Sequence, residues 1–377
     1  MQPCGEESSS FYERLQTAEG LDLRDNRGKR HELAVVLVGV TLALLSHRDG
    51  CLSSIHRHVV HHYEELTKYL GVEAKQPISR AQLPRLLEQV AEPLFARLLL
   101  TQYGRELKEG EKEWFALDGK ELRGSIAEQA KRGTAVVRAI AHRDQHCASQ
   151  TYYDGEKESE IVAVRALLTP RLASQKLSAD ALHCQVKTLE MIVAARGKYV
   201  VSVKENQKEL LTQVREVSER TPSFCQLQSV EKGHGRLETR SYEFYDLLEV
   251  EQAPKWAGAQ VRTGVKVRRA REELKTQKCS VEESYYITNE VGSYEEISTA
   301  IRQHWQVETD NHVRDVSLQE DQLRSQKRGV QRVLAGARTL VLEILRKLDR
   351  PNKKAQLEYF ADHFQDLLHS MRSLNFL

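Results

Sequence analysis

Apolar residues recur at helical spacing over Leu33 to Leu45, Ile55 to Leu70 and Ala81 to Leu100, with breaks at Gly50, Gly71 and Pro77. This pattern predicts a helical segment over residues 12–105, with Ser79 as an N-cap of its third helix. From Trp114 the texture changes. Trp114 to Asp118 is a short apolar run ending at an acid, and Thr134 to His142 and Cys147 to Tyr153 are rich in β-formers around a polar turn. The chain then alternates: helix from Glu158 to Leu168, strand from Leu177 to Asp180, helix from Val186 to Arg196, strand from Lys198 to Val203. A hairpin-rich start followed by α/β alternation predicts a mixed sheet covered by helices. Glu238 to Tyr245, Val261 to Val267 and Ser284 to Thr288 read as further strands, and the chain from Glu295 onward as helical.

Composition narrows the class. The chain has 377 residues, 40% hydrophobic and 29% charged, which fits an intracellular folded protein of two or three domains. The longest apolar stretch, Leu33 to Leu45, is too short to span a bilayer and reads as a buried helix; the polar N-terminus lacks the zones of a secretory signal. Six scattered cysteines with no C-x-x-C pair favour free thiols over disulfides or a zinc site. His58 and His62 stand i, i+4 and could share a metal, but no cysteine or carboxylate frames them, which favours a packed face.

A formal net charge of +2 requires any nucleic-acid surface to be local. Two basic runs stand out, Arg262 to Lys278 and Arg324 to Arg350; the plain alternative for either is a solvated helix face.

Three carboxylates draw attention. Asp118 and Asp180 each end a predicted strand, where a side chain can meet a ligand while its backbone stays anchored; either could equally be a turn former or helix N-cap. Ile297, Ala300, Ile301, His304 and Trp305 form an apolar stripe on which Glu308 is the next position, predicting an inward carboxylate that pairs with a base such as Arg302 or Arg314, or binds a metal. Two aspartates and a glutamate converging would make a hard-oxygen Mg²⁺ site suited to in-line phosphoryl displacement.

At these residues the chain resembles the insertion-sequence transposases of the H-repeat-associated (ISAs) type, within the DDE group. The resemblance rests on Asp25 to Leu33, on Phe115 to Ser125 around the first aspartate, and on Ser178 to Leu210 with its Asp-Ala-x-x-Cys-Gln start and Val-Lys-Glu-Asn-Gln end. His304 to Arg324 around the glutamate and His234-Gly-Arg-x-Glu-Thr-Arg complete it. It implies a ribonuclease-H-like α/β fold divided as 1–108 helical N-terminal domain, 109–204 first part of the catalytic domain, 205–292 β-rich insertion and 293–377 helical C-terminal part. It implies Asp118, Asp180 and Glu308 as catalytic metal ligands for Mg²⁺ (or Mn²⁺), with cleavage and strand transfer at transposon ends. It also implies a homodimer or higher multimer on DNA, no membrane, and a bacterial cytoplasmic location on the nucleoid when DNA-bound. Where many related transposases carry Tyr and Arg ahead of the glutamate, this chain has Ile301 and His304.

Lys120, Arg123, Lys204, Asn206, Gln207, Arg236, Arg268, Arg269, Arg302 and Arg314 are the candidate DNA contacts, each otherwise explicable as exposed or paired. Arg24, Arg27, Lys29 and Arg30 could bind terminal repeats from the N-terminal domain. Trp305 could stack on an extruded base, although an aromatic on an apolar stripe is more often core. The competing functions are an inactive transposase-derived DNA-binding protein, a ribonuclease-H-like nuclease that cuts without joining, and a scaffold with no DNA role.

Overall fold

The computed structural model describes residues 9–377 except 49, 74, 127, 155, 156, 234, 248–253 and 351. Six helices come first: α1 (Phe11–Thr17), α2 (Leu33–Leu45), α3 (Leu52–His61), α4 (Tyr63–Leu70), α5 (Gln82–Leu87) and α6 (Glu92–Tyr103). Ser10 and Glu13 close a reciprocal capping box at the start of α1. The apolar run Leu33–Leu45 is α2, buried along its whole length as a core helix, and no helix among the described residues is long and apolar enough to cross a membrane. The apolar pattern from Ile55 to Leu70 breaks at His62, where α3 hands over to α4. The His58 and His62 rings stand 4.5 Å apart and pack on Phe364, with His62 stacked at 3.7 Å; they are a packed face.

The alternating middle folds as β1 (Trp114–Glu121), β2 (Thr134–Ala141), β3 (Cys147–Asp154), α7 (Lys157–Leu167), α8 (Pro170–Ala173), β4 (Lys176–Ala179), α9 (Val186–Ala194) and β5 (Lys198–Val203). Residues 205–292 begin with α10 (Lys208–Arg220) and then supply β6 (Cys225–Gly233), β7 (Arg236–Asp246), β8 (Thr263–Glu273) and β9 (Cys279–Thr288). These four strands continue the same sheet, whose nine strands run β3-β2-β1-β4-β5-β9-β8-β7-β6. Only the β1–β4 and β4–β5 pairings are parallel. The basic run from Arg262 therefore lies mostly on β8, where alternate residues face opposite sides of the sheet, and forms no helix face.

The chain ends in α11 (Tyr294–Gln303), α12 (Gln306–Val316), α13 (Arg328–Lys347), α14 (Lys353–Asp362) and α15 (Phe364–Ser373). One sheet face packs through Phe115, Leu117, Leu177, Tyr199 and Val201 against the layer that includes Val164 of α7, Leu189 of α9 and Leu211 of α10. The other face meets α11 and α12 through Trp114, Val200, Val265 and Ile297, and through Ala116, Ile140 and Val307. Helix α13 is buried on both sides. Val333, Leu340 and Ile344 join the core that α1 to α6 share with α14 and α15, while Ala335 meets Leu122 and Val136 of the sheet region. Of the second basic run only Arg338 is buried on α13; Arg332 and Arg346 are half-buried, and Arg324, Lys327, Arg328, Lys347 and Arg350 are exposed. This mixed sheet between helical layers is the ribonuclease-H-like α/β architecture expected above. The five cysteines among the described residues are free thiols.

Candidate active site

Parallel pairing of β1 and β4 aligns Leu117 with Ala179, so the next residues, Asp118 and Asp180, stand at the same level on neighbouring strands. Adjacent strands lie about 4.8 Å apart. Both aspartates share strand parity with Ala116 and Ser178, which turn toward α11 and α12. Asp180 also performs the plainer role, its Oδ1 accepting from the Leu182 amide at 2.9 Å to cap a short turn. Burial, then the charges of Asp180 and Glu160, push the Asp118 carboxyl up to about 7, against a hydrogen bond from Asn311 Nδ2 to its Oδ2 at 3.0 Å.

Helix α12 supplies the third acid, in a different setting from the one its sequence predicts. The stripe from Ile297 does not run through as one helix: α11 stops at Gln303 and α12 starts at Gln306. The two residues between shift the helical phase, so Val307 points into the core while Glu308 is exposed, and Trp305 is 51% exposed. Glu308 lines the same cleft as Asp118 and Asp180, a space of about 690 Å³ also bordered by Ser202, Lys204, Arg240, Arg269, Arg302, His304 and Trp305. The α12 residue that touches Asp118 is Asn311, three positions beyond Glu308 and on the same side of the helix. Among the described residues no three His, Cys, Asp or Glu side chains stand close enough to hold a metal ion. Asp118 and Asp180 fit a divalent cation as a crowded, charge-starved pair of hard oxygen donors; Glu308 as set here does not complete a three-acid cluster with them.

The accessory candidates divide. Lys120 is turned inside by Asp315 at 2.8 Å, Asp321 at 3.0 Å and Glu320 at 3.2 Å, and is no free phosphate contact. Arg314 is fully buried against Asp310 at 2.7 Å, which removes it from any DNA surface. Asn206 and Gln207 spend their amides on Ala181 O at 2.5 Å and Cys184 O at 2.9 Å, tying the loop after β5 to the turn that begins at Asp180. Arg123 and Lys204 are exposed, the latter at the cleft. In the N-terminal region Arg24 is held by Asp22 and by His31 O, while Arg27, Lys29 and Arg30 are exposed.

Beside Trp305 the cleft opens into a groove lined by Lys232, Arg236, Arg240, Arg269, Arg271 and Arg302 against only Glu231 and Glu238. Arg302 grips Glu231 with two bonds, Arg271 pairs with Glu238, and Arg269 pairs with Glu282 across β8 and β9. Arg268 is exposed on the opposite side of β8. Sequence reasoning missed Arg240, Asn311, Ser178 and Glu160. Glu160 accepts from Tyr153 at 2.7 Å and contacts His183 at 3.2 Å behind the aspartate pair. Ser178 was discoverable, since it precedes Asp180 by two and must share its strand face.

The raised Asp118 pKa gives a stability prediction. Because the folded value lies above the ordinary 3.8, this carboxyl favours the fold below pH 4, and that contribution disappears as pH rises through 7. Metal-free Asp118→Asn should therefore melt no differently from the parent at pH 4. By pH 8 it should be the more stable by on the order of a few kcal/mol, a gap that Mg²⁺ narrows by stabilising the parent alone. Thermal melts across pH check this, and a gap independent of pH would show Asp118 to be ionised throughout.

A family profile described as the transposase DDE domain matches residues 109–344. The chain is 25% identical over 94% of both lengths to "Putative transposase YncI" of Escherichia coli O157:H7. It is 26% identical, over 86% of this chain and 87% of its relative, to "H repeat-associated putative transposase YhhI" of Escherichia coli K12. With the profile spanning β1 through most of α13, and so the two aspartates, Glu308 and the whole sheet, the chain belongs to the transposase DDE domain family.

Proposed function

We propose that this protein binds the ends of a mobile DNA element and cleaves and transfers DNA strands with Mg²⁺ or Mn²⁺. The observation that supports this most is the register of β1 and β4, which sets Asp118 beside Asp180 at the floor of a cleft whose wall carries Glu308. A divalent ion bound at the aspartates would activate water or a 3′-hydroxyl and stabilise the leaving oxygen of an in-line displacement. The protein's own part is positioning. Asn311 holds the Asp118 carboxylate, and Asn206 and Gln207 fix the Asp180 turn. Arg269 and Arg302 at the rim would offer phosphate contacts on release from Glu282 and Glu231, and exposed Trp305 offers a face on which a base could stack.

The deciding experiment is incubation of the protein with DNA carrying the sequences that flank its gene, in Mg²⁺, Mn²⁺ or EDTA. Metal-dependent nicking at the element's ends, followed by joining of those ends to a target, is expected. Cutting without joining would favour a nuclease. Binding without cutting would favour an inactive descendant, a reading that gains from the separation of Glu308 from the aspartates.

The rim makes a separate prediction. Arg269→Ala and Arg302→Ala should each weaken DNA binding and reduce the slope of log affinity against log salt by about one per lost phosphate contact. Arg268→Ala, on the far face of the sheet, should change neither. Equal effects of all three in a salt titration would remove the groove as the DNA path.

A further inference from the structure

A relay of three polar side chains, two of them buried, ends at the cleft wall. His142 follows β2, and its Nε2 lies 2.8 Å from Ser178 Oγ. The same hydroxyl lies 2.9 Å from Nδ1 of His304. His304 sits at the break between α11 and α12 and lines the cleft with Asp118, Asp180 and Glu308. The His142 ring is buried and stacks on Trp114, with centroids 6.1 Å apart.

The proton count fixes the tautomers. A serine hydroxyl has one hydrogen and can donate to only one of the two rings. His142 Nδ1 is buried without a hydrogen-bond partner. A buried N–H left unpaired is rarer than an unpaired acceptor, so the His142 proton belongs on Nε2, where it donates to Ser178. The Ser178 oxygen could accept from both rings, but its hydroxyl meets no other acceptor among the described residues, so its own hydrogen goes to His304 Nδ1. That places the one remaining ring proton of neutral His304 on Nε2, the nitrogen left for the cleft, which has no protein partner among the described residues. Burial favours the uncharged ring, and a neutral donor does not repel a divalent cation at the neighbouring aspartates.

We infer that His304 is a fixed, neutral hydrogen-bond donor to a non-bridging oxygen of the DNA phosphate held at the aspartates, with Ser178 and His142 as positioning residues that set its tautomer. The inference rests on the proposed DNA chemistry for its ligand but not for its tautomer. A donor already aimed at the phosphoryl oxygens meets the charge that grows on them in the transition state and needs no reorganisation to do so. With its proton on Nε2 and Nδ1 occupied, His304 cannot serve as the base toward the attacking hydroxyl.

Nitrogen-15 spectra of the full chain labelled at histidine test the tautomer directly, with His304→Gln providing the assignment. The expected result is a protonated Nε2 and bare Nδ1 on His304, with a mixture of tautomers in Ser178→Ala; a parent protein with the proton on Nδ1 overturns the inference. Adding a short DNA duplex in Ca²⁺, which replaces the active metal, should shift the Nε2 proton downfield, and an unmoved resonance also overturns it. In nicking assays His304→Gln, which keeps an N–H near the Nε2 position, should stay within about tenfold of the parent, whereas His304→Asn, which keeps one near Nδ1, should lose about 100-fold in kcat. Equal losses in the two variants refute a directed donor. A parent that never nicks DNA would sink the proposed function, while the tautomer and the DNA-induced shift would still decide the role of His304.

Discussion

Asp118→Ala and Asp180→Ala are each expected to lower metal-dependent nicking by on the order of 10³-fold or more, in chains that remain folded and still bind DNA. For Asp118 the loss of activity should come with no loss of stability above neutral pH. The buried carboxylate there is repelled by Asp180 and Glu160, and alanine relieves that repulsion. Unfolding could then not account for the lost activity. Glu308→Ala is expected to fall as far, although its carboxylate is exposed on the cleft wall. Glu308 lies one helical turn from Asn311, which already touches Asp118, so the expectation requires its carboxylate to move toward the aspartates when the ion and DNA bind. Single-turnover nicking of end-bearing DNA by the three variants measures this. If Glu308→Ala cut normally, the third acid would be misassigned, and Glu160, whose charge Asp118 already feels, would take its place.

The parts of the fold legible in the sequence were those set by short-range periodicity. Leu33 to Leu45 read as a buried helix, and Trp114 to Asp118 and Lys198 to Val203 as strands, and the structure has α2, β1 and β5 there. Asp180 follows the end of β4 as its sequence suggests, whereas Asp118 lies inside β1, which runs on to Glu121 paired with β2 and so does not end at the acid as expected. What escaped depended on partners distant in sequence. Strand β6 alternates exposed and half-buried residues and draws its stability from β7, so its own apolar content is low. The break at His304 and Trp305 is invisible to a stripe count, because Ile297 to Glu308 fits one continuous helix until Val307 is required to meet Ala116 and Ile140. The same blindness made Lys120 and Arg314 look like phosphate ligands. Basic residues near a catalytic acid can hold DNA or hold the scaffold, and only the carboxylates they meet, Asp315, Glu320 and Asp310, separate the two.

That scaffold gives the largest expected stability effect. Arg314 of α12 donates to Asp310 at 2.7 Å and to Thr339 of α13 at 3.1 Å, and Thr339 in turn donates to Gln150 of β3 at 2.9 Å. Arg346 bridges Asp310 to Glu343, which also accepts from the Cys147 amide at 3.0 Å. Burial disfavours the charge on Asp310, yet Arg314, Arg346 and Arg138 together hold its carboxyl well below the usual range. Burial is likewise overcome at Glu320, which Arg138, Lys120, Arg314 and Arg338 hold at about 2. Arg314→Met should cost about 3–5 kcal/mol, because it strips half the partners from a carboxylate that has no water to turn to. Asp310→Leu/Arg314→Met should recover part of the loss, as apolar packing replaces a pair that was expensive to bury. The depressed carboxyl values make the network's contribution present above the ordinary glutamate value of 4.5 and lost as pH falls toward 2, so the gap between parent and Glu320→Gln should close over that interval. Because Arg314 and Asn311 leave the same short helix, the network also sets the register that brings Asn311 to Asp118. Denaturant titrations of the single and double variants, paired with nicking rates at a temperature where each is fully folded, separate the two consequences. Arg314→Met with unchanged stability would mean that α12 is held by its apolar contacts alone.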